Sequence, residues 1–292
     1  MQYLYEIAGI RVLYEIPFQV TVQAESENFI MPLSNKMAVD IVYVLQPVES
    51  MKIYSDSGHW EICRYCVEEN GSHDFFYCIT PQGIPYACVK WPDILEGKII
   101  VNYVKGMGSY LNYSHNICDI LSLETLLLHY NGFILHSSFI RWQQQGILFS
   151  APSGTGKSTQ ADLWVEYEGA EIINGDRAGL RLIDGVWEAY GLPYAGSSHI
   201  YRNENAPVAA VVVLRQAKEN RIRRLRAAEA IRFLYPEVTA HHWDREFVDR
   251  ILNLLMELTA AVPVYLLECL PDRGAVELVK DTIFCANLPA SE

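Results

Sequence analysis

The chain has 292 residues, half of them hydrophobic, and a formal net charge of −12 at pH 7. That length suits two domains by the rough guide of about 100–200 residues each, and the apolar share supports a sizeable core rather than disorder. The negative charge repels phosphate backbones and anionic lipid surfaces, so neither nucleic acid nor a membrane is an expected partner; a nucleotide in a local positive pocket is still allowed. No stretch approaches the roughly 20 apolar residues that span a bilayer. The N-terminus has no basic start before an apolar block, so no secretory signal is expected. Seven scattered cysteines then read as reduced thiols of a cytoplasmic protein. Cys63-x-x-Cys66 lacks the second close pair that a zinc site wants, and core or edge thiols are the expectation.

Residues 1–115 are rich in Tyr, Val, Ile and Phe in short runs broken by turn residues. They predict a mainly antiparallel β domain, with a hairpin at Asn70-Gly71. From residue 116 the pattern changes. The stretch ICDILSLETLLLHYNG has helical spacing and ends on Asn131-Gly132. FILHSSFIRW and GILFSA read as strands, residues 156–168 as a helix, and EIINGD as a short strand with a polar end. RAGLRLIDGVWEAYG reads as a hairpin with Asp184-Gly185 at its tip. VAAVVVL and VPVYLLE are buried strands. Between them, Phe247, Val248, Ile251, Leu254, Leu255 and Leu258 share one face of a helix. A last helix runs near 273–286. Residues 116–292 are thus expected to form a mixed α/β domain.

The chemistry concentrates in ILFSAPSGTGKSTQADLW, at residues 147–164. Its centre fits the phosphate-binding pattern G-x-x-x-x-G-K-[S/T] at Ala151, Pro152, Ser153, Gly154, Thr155, Gly156, Lys157 and Ser158, with Thr159 following. Backbone N–H groups that all turn inward on a polyphosphate need unusual dihedral angles and little side-chain bulk. A helix starting at once adds its positive end. Lys157 supplies a point charge for the β and γ phosphates, and Ser158 a hydroxyl for Mg²⁺. Ala151 departs from the pattern, since alanine stands where glycine is usual and does not readily take a positive φ.

The run S-G-T-G-K-S-T after a strand resembles the loop of the HPr kinase/phosphorylase family and the related phosphoenolpyruvate carboxykinases. Leu135-His136-Ser137 resembles the histidine-bearing strand that precedes the loop there. Ile172-Ile173-Asn174-Gly175-Asp176-Arg177 resembles the short strand ending in aspartates, and Gly191-Leu192-Pro193 the Gly-x-Pro turn. The likeness covers residues 116–292 and not residues 1–115. The layout is also similar to kinases associated with ribosomally made peptides, such as the lasso-peptide precursor kinases. This resemblance implies an α/β fold: a C-terminal P-loop domain with a mixed sheet and flanking helices, behind a mainly β N-terminal domain. It also implies Mg²⁺-assisted transfer of a phosphoryl group from ATP, or another nucleoside triphosphate, to a hydroxyl, with serine on a peptide or small protein as acceptor.

Gly175 stands where that family has the first of two aspartates, the base. Asp176 is expected to hold Mg²⁺ with Ser158, and the base is open between His136, Asp176 and no strong base at all. Arg202, in the loop GLPYAGSSHIYRN, is the candidate to steady transferred charge. The locally basic RIRRLR at 221–226 is read first as a solvated face and second as a dock for an acidic peptide or an adenosine phosphate. The missing aspartate favours a rival, a nucleotide-binding sensor without catalysis; a small-metabolite kinase is another. Residues 1–115 are the candidate recognition module for a leader peptide, and the sequence leaves a homo-oligomer open.

Overall fold

The computed structural model describes residues 1–34, 37–51, 59–61, 64–69, 72–80, 82–90, 97–113, 120–194, 196, 198–242 and 244–285. They form two compact units, Met1–Leu126 and Leu127–Glu292, each with its own mixed sheet.

The first unit is built on nine strands: β1 (Gln2–Ile7), β2 (Ile10–Glu15), β3 (Ile30–Met31), β4 (Ile41–Val48), β5 (His59–Glu61), β6 (Arg64–Glu69), β7 (Ser72–Ile79), β8 (Pro85–Lys90) and β9 (Lys98–Val104). A four-residue helix, α1 (Ala24–Glu27), precedes β3. The spatial order is β3-β1-β2-β4-β9-β8-β7-β6-β5. Most neighbours are antiparallel, but β4 runs parallel to both β2 and β9. The two parallel pairings join strands distant in sequence, which local turn chemistry does not encode. Strand alternation puts Tyr5, Tyr14 and Tyr43 fully inside, with the Tyr5 and Tyr14 rings edge to face at 5.4 Å. Asn70, Gly71 and Cys63 lie outside the described residues; β6 and β7, which flank the expected turn, pair antiparallel.

A helix, α2 (Leu123–His129), contains the point where the chain divides; residues 116–119 of the longer expected helix lie outside the described residues. In the second unit, β10 (Gly132–Trp142) and β11 (Gln145–Ser150) form a hairpin, followed by α3 (Lys157–Glu168) and β12 (Glu171–Asn174). Next come β13 (Arg177–Ile183), β14 (Val186–Gly191), β15 (Asn205–Gln216), β16 (Arg221–Arg224), α4 (Ala227–Leu234), α5 (Arg245–Ala261), β17 (Val264–Cys269) and α6 (Arg273–Lys280). The path is β11-β10-β13-β14-β15-β17-β16, with β12 on β10 and a further β11–β15 pairing. The β13–β14 hairpin turns on Asp184 and Gly185, at φ 50° and 82°, as two residues with φ > 0 require.

Strands β11, β15 and β17 are mutually parallel, and both of their faces are buried. Leu148, Val211, Val213 and Leu266 pack in one core with Leu234 of α4 and Ile251 and Leu255 of α5. Phe149, Val212, Leu214 and Leu267 pack in the other core with Trp164 of α3 and Val276 of α6. This two-sided burial is why these strands read as continuous apolar runs. On α5, Asp244 caps the N-terminus by accepting from the Phe247 N–H at 3.1 Å, and Phe247, Ile251, Leu254, Leu255 and Leu258 are buried. Asp272 caps α6 in the same way through Ala275; Ala286 lies outside the described residues. The carboxyl ends of the three parallel strands open on one side of the sheet, the edge at which open α/β sheets place ligands.

Candidate functional site

The loop leaving β11 turns sharply because two glycines adopt positive φ, Gly154 at 77° and Gly156 at 119°. A side chain at either position would be strained by backbone conformation alone, although the space beside each is open. Ala151 is not among the positive-φ residues. It is 1% exposed in the core under α3, so alanine is compatible here with the loop's geometry. The helix starts at Lys157 with Gly156 as its cap and no side-chain cap, which leaves the first-turn N–H groups facing the loop. Lys157 folds back over the loop: its Nζ donates to the Ala151 carbonyl at 2.7 Å and the Pro152 carbonyl at 3.4 Å. Gln216, at the end of β15, steadies the loop's crest by donating to the Thr155 carbonyl.

Two neighbouring strands bring the titratable groups. His136 lies on β10, opposite Arg177 of β13. Ser150 of β11 donates to the His136 carbonyl, Ser138 to the Gly175 carbonyl, and the Ser137 N–H to the Asp176 carbonyl. Asn174, fully buried at the end of β12, organises the turn. Its Nδ2 donates to the Leu192 and Tyr194 carbonyls at 3.0 and 2.9 Å, and its Oδ1 accepts from the Asp176 and Arg177 N–H groups, both at 2.9 Å. Every hydrogen-bonding site of that amide nitrogen and oxygen is used. Gly175 has no room for a side chain beside Ser198. A Cβ there would overlap Ser198 Oγ and stand 2.6 Å from Ser198 Cβ. Gly196 packs as closely on Asp176, where an added Cβ would lie 2.9 Å from its Cγ.

These groups meet in one cavity of about 370 Å³, lined by His136, Ser153, Gly154, Gly156, the helix start Lys157–Thr159, Gly175 and Asp176. His136 Nε2 is 3.6 Å from Asp176 Oδ1. Its Nδ1 is 2.9 Å from Oε2 of Glu237, in the 3-10 turn after α4. Sequence reasoning missed Glu237, because nothing local marks a carboxylate in Tyr-Pro-Glu that reaches a strand 101 residues away. Burial holds the Lys157 amine below the ordinary lysine range, and the negative charges of Glu237 and Asp176 oppose that shift. The site therefore sets one buried lysine beside two carboxylates and an imidazole, and Asp176 is also paired with Arg177, whose Nε lies 3.4 Å from Oδ2.

The structure does not bring Arg202 into this group. Its guanidinium lies 3.9 Å from Glu171 at the far end of β12, and it is not part of the cavity wall. Pro152 and Thr155 face a second cavity of about 580 Å³. Gly154, Thr155, Gly156 and Thr159 border a third of about 450 Å³ with Gln160 and Cys269. Among the described residues, no cluster of three or more His, Cys, Asp or Glu side chains forms a preformed metal site, and no helix is long and apolar enough to cross a membrane.

No family model matches the chain, and no curated protein does. Among solved structures, an Hpr(Ser) kinase/phosphatase from Coxiella burnetii is similar at a TM-score of 0.31 and 13% identity, over 52% of this chain and 88% of that one. A score that low says nothing about activity.

Proposed function

We propose that the second unit is a P-loop phosphotransferase that moves the terminal phosphoryl group of ATP to a hydroxyl, with serine on a peptide or small protein as the acceptor class. The observation that carries this reading is the convergence of Lys157, Ser158, His136 and Asp176 on one cavity under a loop with two positive-φ glycines. The donor's phosphates fit the amides of Gly154–Thr159, and Lys157 exchanges the carbonyls of Ala151 and Pro152 for phosphate oxygens. One carboxylate and one hydroxyl, Asp176 and Ser158, would hold Mg²⁺. That fits an ion which keeps waters and takes its other ligands from substrate phosphates, and which when bound neutralises charge on them.

The base left open by Gly175 goes to His136. With Glu237 as acceptor for Nδ1–H, Nε2 is the nitrogen left to take a proton, 3.6 Å from Asp176 Oδ1 on the cavity wall. The acceptor oxygen bonds to the terminal phosphorus as that phosphorus parts from the bridging oxygen, ADP leaves, and the hydroxyl proton passes to His136 Nε2. The missing carboxylate at 175 favours the second reading, a nucleotide sensor. Incubating the protein with MgATP and a serine-peptide library, followed by mass spectrometry, separates the two. Phosphorylated peptide from the wild type and none from Lys157→Ala is the expected result. Bound nucleotide with no turnover selects the sensor.

A further inference from the structure

Two cavities meet over the end of β15, where Gly154, Thr155, Leu214 and Gln216 line both, and extend from there to opposite faces of the sheet. Gln160, Ala217 and Cys269 carry the 450 Å³ cavity to the side of α3 and α6. Val213 and Arg215 face the 580 Å³ cavity on the side of α4, whose wall is completed by Arg232, Phe233, Pro236 and Glu237. Only the second contains Glu237, the partner of His136. It shares Ser153 with the reactive cavity, the 450 Å³ cavity shares Gly156 and Thr159 at the helix start, and Gly154 borders all three. In-line transfer needs the attacking and leaving oxygens on opposite sides of phosphorus. Two approaches from opposite faces supply that arrangement. The donor lies along the helix start from the α3 side, and the acceptor arrives past Glu237 from the α4 side.

The acceptor side carries a specific charge pattern. Its floor is apolar, from Val213, Phe233 and Pro236, and Arg215 lies over the Phe233 ring at 5.8 Å. Arg215 is paired with Glu268 at 3.3 Å. Glu229, the acid near Arg232, is held by both terminal nitrogens of Arg223, at 2.9 and 2.5 Å. Arg232, exposed on α4, attracts the same Glu229 but forms no ion pair with a described carboxylate. In a chain of net charge −12, a guanidinium whose neighbouring acid is already held by another arginine, beside an apolar floor, is a place for a carboxylate on a short apolar stem. A volume near 580 Å³ is in the range of small-ligand sites, about 300–1,000 Å³. Resting on the phosphotransferase reading, we propose that this cavity seats the acceptor as a peptide segment with Asp or Glu close to the reacting serine, and that Arg232 pairs with that acid.

The test uses the full chain, MgATP and serine peptides in which one Asp, or one Asn, is scanned along the sequence, with initial rates read by mass spectrometry. An Asp peptide is expected to exceed its Asn twin by about tenfold or more in kcat/KM at one position. Arg232→Gln should bring the ratio to about one with the heat of MgATP binding unchanged, and Arg232→Lys should keep part of it. An equal ratio in wild type and Arg232→Gln, or no preference for Asp in the wild type, overturns the assignment. So does a protein that binds MgATP and phosphorylates none of the peptides, which leaves the nucleotide reading standing. Failure of the wild type to bind MgATP overturns both.

Discussion

Lys157 is buried, where an ordinary surface lysine stands in water. It is 7% exposed, and burial lowers its pKa from the usual 10.5 while Glu237 and Asp176 hold it up. As pH rises through that lowered value, the free amine loses its proton and its attraction for phosphate. Affinity for MgATP should therefore decline with an inflection below 10.5, seen by calorimetry across the alkaline range. An inflection at or above 10.5 would show that burial does not govern the amine. Glu237 acts at the same scale by a different route. Glu237→Gln keeps the size of the side chain but can no longer accept the Nδ1 proton as a charge. About a tenfold or greater fall in kcat is expected, with ATP affinity retained, because the imidazolium formed on taking the proton loses its charged partner. An unchanged kcat would remove His136 from the base role.

Among the elements, the turn between β12 and β13 is tied to Leu192, Tyr194 and Ser198 of the following loop. Asn174 ties the loop's carbonyls to the turn's N–H groups, and Ser198 fills the space beside Gly175. Gly175→Ala should destabilise the chain by about 1–3 kcal/mol in denaturant unfolding, and adding Ser198→Gly should recover most of that loss. A double variant no more stable than the single one would mean that the collision is not with Ser198.

How much of this was legible in the sequence follows from distance along the chain. The β11–loop–α3 unit, the Asp184-Gly185 hairpin and the buried stripe of α5 are set by contiguous patterns of glycine, polarity and period, and all stand where those patterns put them. Glu237 beside His136, Asn174 beneath the loop, Arg202 paired with Glu171, and the parallel partners of β4 depend on which distant segments meet. A single sequence does not state those contacts.

At the scale of the whole molecule, each unit has its own sheet, and the residues of the candidate site belong to Leu127–Glu292. A role for the first unit in recognising a leader peptide stays a proposal, resting on the separateness of its sheet. In the second unit, three parallel strands end at one edge, and the loop after the first of them carries two left-handed glycines and a lysine held on its own carbonyls. If that edge is a triphosphate site, the lysine is its main source of positive charge, and removing it should cost affinity without costing fold. The direct measurement is titration calorimetry of the full chain with ATP and Mg²⁺, alongside the thermal unfolding of each protein. The expected result is one saturable site in the wild type and none in Lys157→Ala, at an unfolding temperature that is not lowered. No heat with the wild type, or equal binding by the two proteins, would contradict the account.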